Sequence, residues 1–436
     1  MIKFRYKKSV ALLLAVVLTL SMALFSCERT EMPQDGTNAS TTAVEETTAD
    51  SERTEGTAEK GDENVTESDD STAQPPAPET DAKAEEEEKE EEKIELDEPM
   101  VLTYDNLHSL SSGKNIVIFL VDRFDAKYYR KMENKSPDFF ERLDGFTYFN
   151  DYTSLHCRTY PGVASILTNL EHNYSSKKAD AFNYFYSNGG ALRALHESGY
   201  TVNVYTETDY VYTDATLMSE YVSNTGYVSL SEEFKVGVEA TVDLKERLMS
   251  REFYTEDTPG QFTFIHLFGC HDTSKSSNQN IEDSFEIIYY YIDRMKALGV
   301  YEDATIAIMG DHASALSDSK YIGKASSSDD GTRVTAMLFK RSGESGTALA
   351  RTEAQVSQDE LWATIYESEG LTSLKKGESF FDIPEGVDRE RRYLFYMYKN
   401  TKNNNLAYSQ VIEYKITGSA NNSENWEMIT VPVTTD

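Results

Sequence analysis

Cysteine is scarce in this chain, with three in 436 residues. Cys27, Cys157 and Cys270 are too few to staple a small fold, so the structured part must stand on an ordinary apolar core. Positive charge is also in short supply, 42 Lys and Arg against 75 Asp and Glu for a net charge of −33. Nowhere do basic residues cluster with interleaved aromatics, and the overall sign is wrong for a polyphosphate partner. Nucleic-acid binding is therefore excluded. There is no internal repeat and no multi-span membrane region.

What is present begins with Lys3, Arg5, Lys7 and Lys8 ahead of an apolar run at 9–25 that stops at Ser26 and Cys27. This is a secretory signal. The run is short for a spanning helix, and its end, LFSC at 24–27, resembles a lipobox in which Cys27 is lipidated and becomes the new N-terminus; an uncleaved signal anchor is the alternative. Either way residues 1–27 place the rest of the chain outside the cytoplasmic membrane, tied to it. Residues 28–100 are a disordered acidic linker of Thr, Ser, Ala, Pro and Glu, too poor in apolar side chains to offset the entropy of ordering them. They carry 26 acidic and 6 basic residues, so 20 of the 33 net negative charges belong to this tether. The charge thus says little about an active site. A flexible coil of this length spans about 40–45 Å, and self-repulsion extends it further.

From about Val101 onward short, continuous apolar runs alternate with helical patterns. The runs are IVIFLV at 116–121, TVNVY at 201–205, FTFIHL at 262–267, TIAIM at 305–309 and VTAMLF at 334–339. Such runs belong to a sheet buried on both faces. Between the third and fourth, Phe285, Ile288, Tyr289, Ile292 and Met295 recur at helical spacing, and Gly299 ends the helix. A further helix is expected over 358–369 with Ser357 as its cap. The fold class is α/β. Beyond residue 371, RRYLFY at 391–396 and VIEYKITG at 411–418 read as two strands of a small C-terminal sheet. The frequent tyrosines suit aromatic core packing, or an exposed surface for glycans.

In open α/β sheets ligands bind beyond the carboxyl ends of the strands. Asp122 follows the first run, and Asp311-His312 the fourth. A solvated loop carboxylate and a turn with a chance histidine are the plain alternatives. Between them lies TYPGVASILT at 159–168, where Pro161 suits a helix start and leaves Thr159 near the N-terminus, the end that favours an anion. Thr159 is either a helix cap or a hydroxyl that, beside a cation, attacks a phosphorus centre. His266 lies inside an apolar run and is either a core histidine or a functional one.

The segments at 115–122, 159–168, 266–271 and 310–312 together resemble the alkaline phosphatase and sulfatase superfamily, in particular its lipoteichoic acid synthase-like and phosphoethanolamine transferase-like branch. YEDAT at 301–305 and the helix at 358–369 are smaller echoes, and the resemblance covers roughly residues 113–371. It implies a three-layer sandwich with a mainly parallel central sheet, a catalytic domain over 101–371 and a small C-terminal β subdomain over 372–436. It implies that Asp122, Thr159, Asp311 and His312 hold one divalent metal ion, Thr159 being also the nucleophile. Such a mixed oxygen and imidazole shell admits Mn²⁺, Zn²⁺ or Mg²⁺. His271 matches the histidine that contacts substrate or assists the leaving group, and Asp125 is a second candidate for metal duty. Cys157 and Cys270, flanking Thr159 and His271, are either a disulfide or two inert thiols.

Departures from the pattern narrow the chemistry. Sulfatases carry Cys or Ser in C/S-x-P-x-R for conversion to an aldehyde; here the positions are Thr159 and Val163, and threonine cannot give that aldehyde. Ala313 stands where Asp-His is usually followed by glycine. No histidine follows His312, which argues against a two-metal site. The resemblance thus implies a phosphotransferase or phosphodiesterase working on an envelope polymer or phospholipid head group, with phosphoglycerol or phosphoethanolamine units. The contrasting expectation is a tethered binding protein that keeps the fold without turnover.

Overall fold

The computed structural model describes residues 100–171, 178–206, 213–227, 237–313, 334–399 and 407–431. The expected signal segment, Cys27 and nearly all of the expected acidic linker lie outside them. Strand β1 (Lys114–Val121) is buried along almost its whole length. Its alternate side chains serve opposite faces, as the two-residue period of a strand requires. Ile116, Ile118 and Leu120 join Val163, Leu192 and Trp362 on one side, while Val117, Phe119 and Val121 join Phe285, Ile288 and Met295 on the other. Helices therefore cover both faces, a three-layer α/β/α sandwich.

The other strands of the central sheet are β2 (Phe146–Thr153), β3 (Tyr200–Tyr205), β4 (Gly260–Leu267), β5 (Ala304–Met309), β6 (Met337–Lys340) and β7 (Ala350–Ser357). Their spatial order is β7-β2-β6-β5-β1-β4-β3. Strands β3, β4, β1 and β5 run parallel, β6 runs against both of its neighbours, and β7 is parallel to β2. All five expected runs contribute, but the last is a strand only from Met337. Its first half instead clamps the loop after β1, with Ala126 donating to the carbonyl of Val334 at 2.9 Å and Ala336 to that of Phe124 at 2.8 Å. Strands β2 and β7 were not anticipated. The first is interrupted by Asn150 and Asp151, and the exposed start of the second, ARTE, shows no apolar run.

Helix Ser277–Ala297 buries all five residues of the expected stripe. Ser276 caps it by accepting from the Gln279 amide at 3.2 Å, and Gly299, at φ +73°, lets Val300 donate back to the carbonyl of Met295. The later helix opens with a tight turn, Gln358–Glu360, before Leu361–Ser368, and Ser357 with Glu360 forms a reciprocal capping box. Among the described residues no helix is long and apolar enough to cross a membrane.

The C-terminal sheet has three antiparallel strands, β8 (Glu390–Lys399), β9 (Ala407–Thr417) and β10 (Trp426–Val431). Tyr393, Tyr396, Val411, Tyr414 and Trp426 share one core with Val163, Leu167 and Phe380. At the junction the Arg391 guanidinium on β8 meets the Asp151 carboxylate on β2 at 3.0 Å, and both side chains are nearly inaccessible. Asp151 also accepts from the Ala420 amide at 3.0 Å, and Arg391 donates to the carbonyl of Gly418 at 2.7 Å. Among the described residues there is no disulfide: Cys157 is buried in the core on one face of the sheet and Cys270 in the core on the other, which sets aside the disulfide alternative.

Removing one partner of a buried ion pair leaves the other charge desolvated and uncompensated. Arg391→Met is expected to lower stability by about 3–5 kcal/mol in urea denaturation, and Arg391→Met with Asp151→Asn to recover part of it. Equal stability of wild type and the single variant would contradict this junction.

Candidate metal centre

Parallel pairing of β1 with β5 sets Leu120 opposite Met309, so two steps further on Asp122 and Asp311 come side by side beyond the sheet. On the other flank β4 holds Val121 against Leu267 and Leu120 against His266. The Asp122 amide donates to the carbonyl of Leu267 at 3.0 Å, and the Cys270 amide to that of Asp122 at 2.8 Å, which docks the turn Gly269–His271 on the acid. Gly269 is needed there: it stands at φ +55°, and a Cβ would lie 2.7 Å from the Asp122 backbone. Gly310 has a steric reason too, since a Cβ would meet the Phe124 carbonyl at 2.5 Å.

Thr159 arrives from the far side of the sheet. Tyr160 has an extended backbone (φ −99°, ψ 125°), so the continuous helix starts at Pro161 and Thr159 stands just ahead of it. Its hydroxyl donates to Asp122 Oδ2 at 3.2 Å and lies 3.3 Å from His312 Nε2. His312 Nε2 is in turn 3.4 Å from Asp311 Oδ2 and 3.8 Å from Asp122 Oδ1. His312 Nδ1 is 2.6 Å from the carbonyl of Ala313, which can only accept, so Nδ1 carries a proton and Nε2 is the nitrogen turned to the cluster. Ala313 thus supplies with its backbone what orients the ligand.

Asp122, Asp311 and His312 offer ligand atoms that all lie within 4.8 Å of one another, and all three are buried. Two carboxylates side by side and out of water are costly unless compensated. Asp311 Oδ1 accepts from the Arg123 amide at 3.0 Å, but Asp311 Oδ2 and Asp122 Oδ1 find no hydrogen-bond partner among the described residues. A cation satisfies both, and three oxygens with one imidazole nitrogen fit a divalent ion of the Mn²⁺, Zn²⁺ or Mg²⁺ kind. Burial pushes the Asp122 carboxyl up, yet the charges of His271, His266 and His312 outweigh it and hold Asp122 well below the usual carboxylate range. Asp311 is pushed up, by burial first and by the Asp122 charge second. Asp122 is therefore the more acidic member of the pair and Asp311 the less acidic, so that protons compete with a cation chiefly at Asp311.

The remaining candidates fall into different places. His271 stands at the rim with its ring against Phe268, 5.3 Å between centroids, and its imidazole is the strongest influence lowering Asp122. His266, wholly buried, has Nε2 3.6 Å from Asp122 Oδ2, which makes it part of the site's electrostatics as well as of the core. Asp125 is outside the ligand group. Its carboxylate accepts from the Lys127 amide at 2.7 Å as the cap of helix Ala126–Lys135. His156 was passed over in the sequence although it is one of only seven histidines and lies three residues before Thr159. It is fully buried beneath the start of the helix, where a Cβ on Gly162 would come within 3.8 Å of its own.

No family model matches the chain, and no curated protein matches it in sequence. Its structure is similar to solved members of the alkaline phosphatase superfamily. The lipoteichoic acid synthase LtaP from Listeria monocytogenes superposes with a TM-score of 0.42 at 9% identity over 75% of this chain and 88% of that one. The periplasmic domain of EptC from Escherichia coli, solved with Zn, gives 0.43 at 13% identity over 69% and 96%. A 2-O glycosaminoglycan sulfatase, BT1596, gives 0.47 at 12% identity over 72% and 84%. These are distant likenesses of fold, and the chemistry rests on the side chains described above.

Titration of the chain with Mn²⁺ or Zn²⁺ should show one ion bound per molecule, with Asp311→Asn weakening it by at least ~100-fold. Because the Asp311 pKa is raised, affinity should decline with falling pH beginning above the ordinary carboxylate range. Calorimetry at several pH values checks both.

Proposed function

We propose that this chain is a metal-dependent phosphotransferase or phosphodiesterase of the sulfatase-like kind, with Thr159 as nucleophile and envelope phosphate esters as substrates. The observation that carries the reading is the Thr159 hydroxyl, 3.2 Å from a buried carboxylate oxygen and 3.3 Å from an imidazole nitrogen, within a cluster that leaves two carboxylate oxygens unsatisfied. A chance helix cap has no reason to be built this way.

Asp122, Asp311, His312 and Thr159 would hold the ion, which supplies positive charge beside the hydroxyl and the phosphoryl oxygens. The Thr159 hydroxyl donates to Asp122 Oδ2, so its proton can pass to that carboxylate oxygen as the Oγ1–P bond forms. The ester oxygen leaves as its bond to phosphorus breaks, and His271 at the rim is the group that gives it a proton. A second attack, by water or by an acceptor hydroxyl, then breaks the Oγ1–P bond and frees Thr159. Water makes the protein a phosphodiesterase, and an acceptor hydroxyl makes it a transferase. Arg123, directly after Asp122, has its Nε buried without a hydrogen-bond partner among the described residues, which suits an anionic substrate. Threonine cannot become the aldehyde that sulfate esters require, so phosphate is preferred.

The N-terminal signal and acidic tether complete the reading: an extracytoplasmic domain anchored to the membrane, through lipidated Cys27, and held at a distance. A single anchor on a long leash presents the site less directly to lipid than to polymer. Phosphoglycerol or phosphoethanolamine groups on an envelope polymer are therefore favoured over free phospholipid head groups.

With Mn²⁺ or Zn²⁺ supplied, the chain should hydrolyse bis(p-nitrophenyl) phosphate and leave p-nitrophenyl sulfate untouched. Thr159→Ala should reduce turnover by at least ~10³-fold with an unchanged melting temperature, and Thr159→Ser should keep part of it. Undiminished hydrolysis by Thr159→Ala would falsify the mechanism.

A further inference from the structure

The residues just ahead of Thr159 are held by the C-terminal sheet. The Leu394 amide on β8 donates to the carbonyl of Leu155 at 2.7 Å, and the Cys157 amide donates to the carbonyl of Leu394 at 3.1 Å. His156 is thereby bridged to Leu394 in parallel register. One step along, the Tyr396 amide donates to Cys157 Sγ at 3.3 Å, and the Tyr396 hydroxyl lies 3.0 Å from His156 Nδ1. The two rings sit with centroids 5.6 Å apart, and both residues are wholly buried. The opposite flank is tied to the helix after Pro161, since the Leu155 amide donates to Gln358 Oε1 at 3.1 Å and Gln358 Nε2 to Ser165 Oγ at 3.2 Å.

A buried segment must place its backbone polar groups somewhere. Here the C-terminal strand takes them. Cys157 is two residues before Thr159, so the strand that fixes it also fixes the approach of the hydroxyl to Asp122 and His312. We propose that the C-terminal sheet is a positioning device for the nucleophile, and that Tyr396 and His156 are its positioning residues. The inference rests on the reading of Thr159 as nucleophile. It accounts for a buried tyrosine–histidine bond that neither the core nor the metal centre requires.

A misplacement of about 1 Å at a reacting atom costs roughly 10²-fold in rate, and losing one hydroxyl permits part of that. In the full chain, Tyr396→Phe is expected to lower kcat on bis(p-nitrophenyl) phosphate about tenfold, with KM and Mn²⁺ affinity within about twofold of wild type. His156→Asn, which offers an amide where Nδ1 stood, should retain most of kcat, whereas His156→Phe should not. The ¹³C methyl resonance of Thr159, assigned by its loss in Thr159→Ser, should move in Tyr396→Phe. A lowered melting temperature with kcat per folded molecule unchanged and an unmoved Thr159 methyl overturns the proposal, leaving the sheet a purely structural prop. If wild type turns over no phosphate ester, the proposed activity fails. The methyl signal then decides alone: a shift in Tyr396→Phe sustains the positioning role, and no shift overturns it.

Discussion

Two carboxylates brought level by strand register are the constraint around which this molecule is arranged. Leu120 faces Met309 across β1 and β5, and the next residues to leave the sheet on each strand end as Asp122 and Asp311. Shifting either strand by one residue would turn its acid to the other face. Their burial makes them an electrostatic liability until something positive joins them, and the neighbouring pieces are disposed to accept that condition. His312 is oriented by the carbonyl of Ala313, His266 comes from β4, and the turn bearing His271 is hydrogen-bonded to the Asp122 backbone. The apolar sheet acts as a rigid mount for a small polar cluster at its edge.

The C-terminal strands belong to this arrangement. Through Arg391 and Asp151 they are fastened to the central sheet, and through Leu394 and Tyr396 to the segment that delivers Thr159. The acids thus come from one set of elements and the hydroxyl from another, supported by a separate sheet. The acids come with sheet register alone, whereas the hydroxyl depends on long-range packing as well.

This division explains what could be read from the chain. The runs around Ile116 and Thr305 are continuous and apolar because both faces are covered, so β1, β5 and their terminal acids were legible from local pattern. The stripe from Phe285 to Met295 was legible for the same reason. Strand β2 was not, because Asn150 and Asp151 interrupt it, and Asp151 is polar for a partner, Arg391, that lies far along the chain. Thr159 looked locally like a helix cap, and only its order relative to Asp122 and Asp311-His312 raised it above that. Asp125 competed with Asp122 on composition, and geometry separates them, since one caps a helix and the other faces the cluster. The His156–Tyr396 contact joins residues 240 positions apart, and no local pattern encodes it.

The two buried thiols have a consequence of their own. Lodged on opposite sides of a packed sheet, Cys157 and Cys270 cannot meet without taking the sandwich apart. The described fold is therefore reached without a disulfide, whether its surroundings oxidise or reduce. Cys157 is moreover engaged by the Tyr396 amide, so an oxidant or alkylating agent reaches it only once β8 has come away. Chemical attack on that sulfur therefore reports the opening of the C-terminal sheet, and the thiol serves as a built-in gauge of whether the scaffold behind Thr159 is closed.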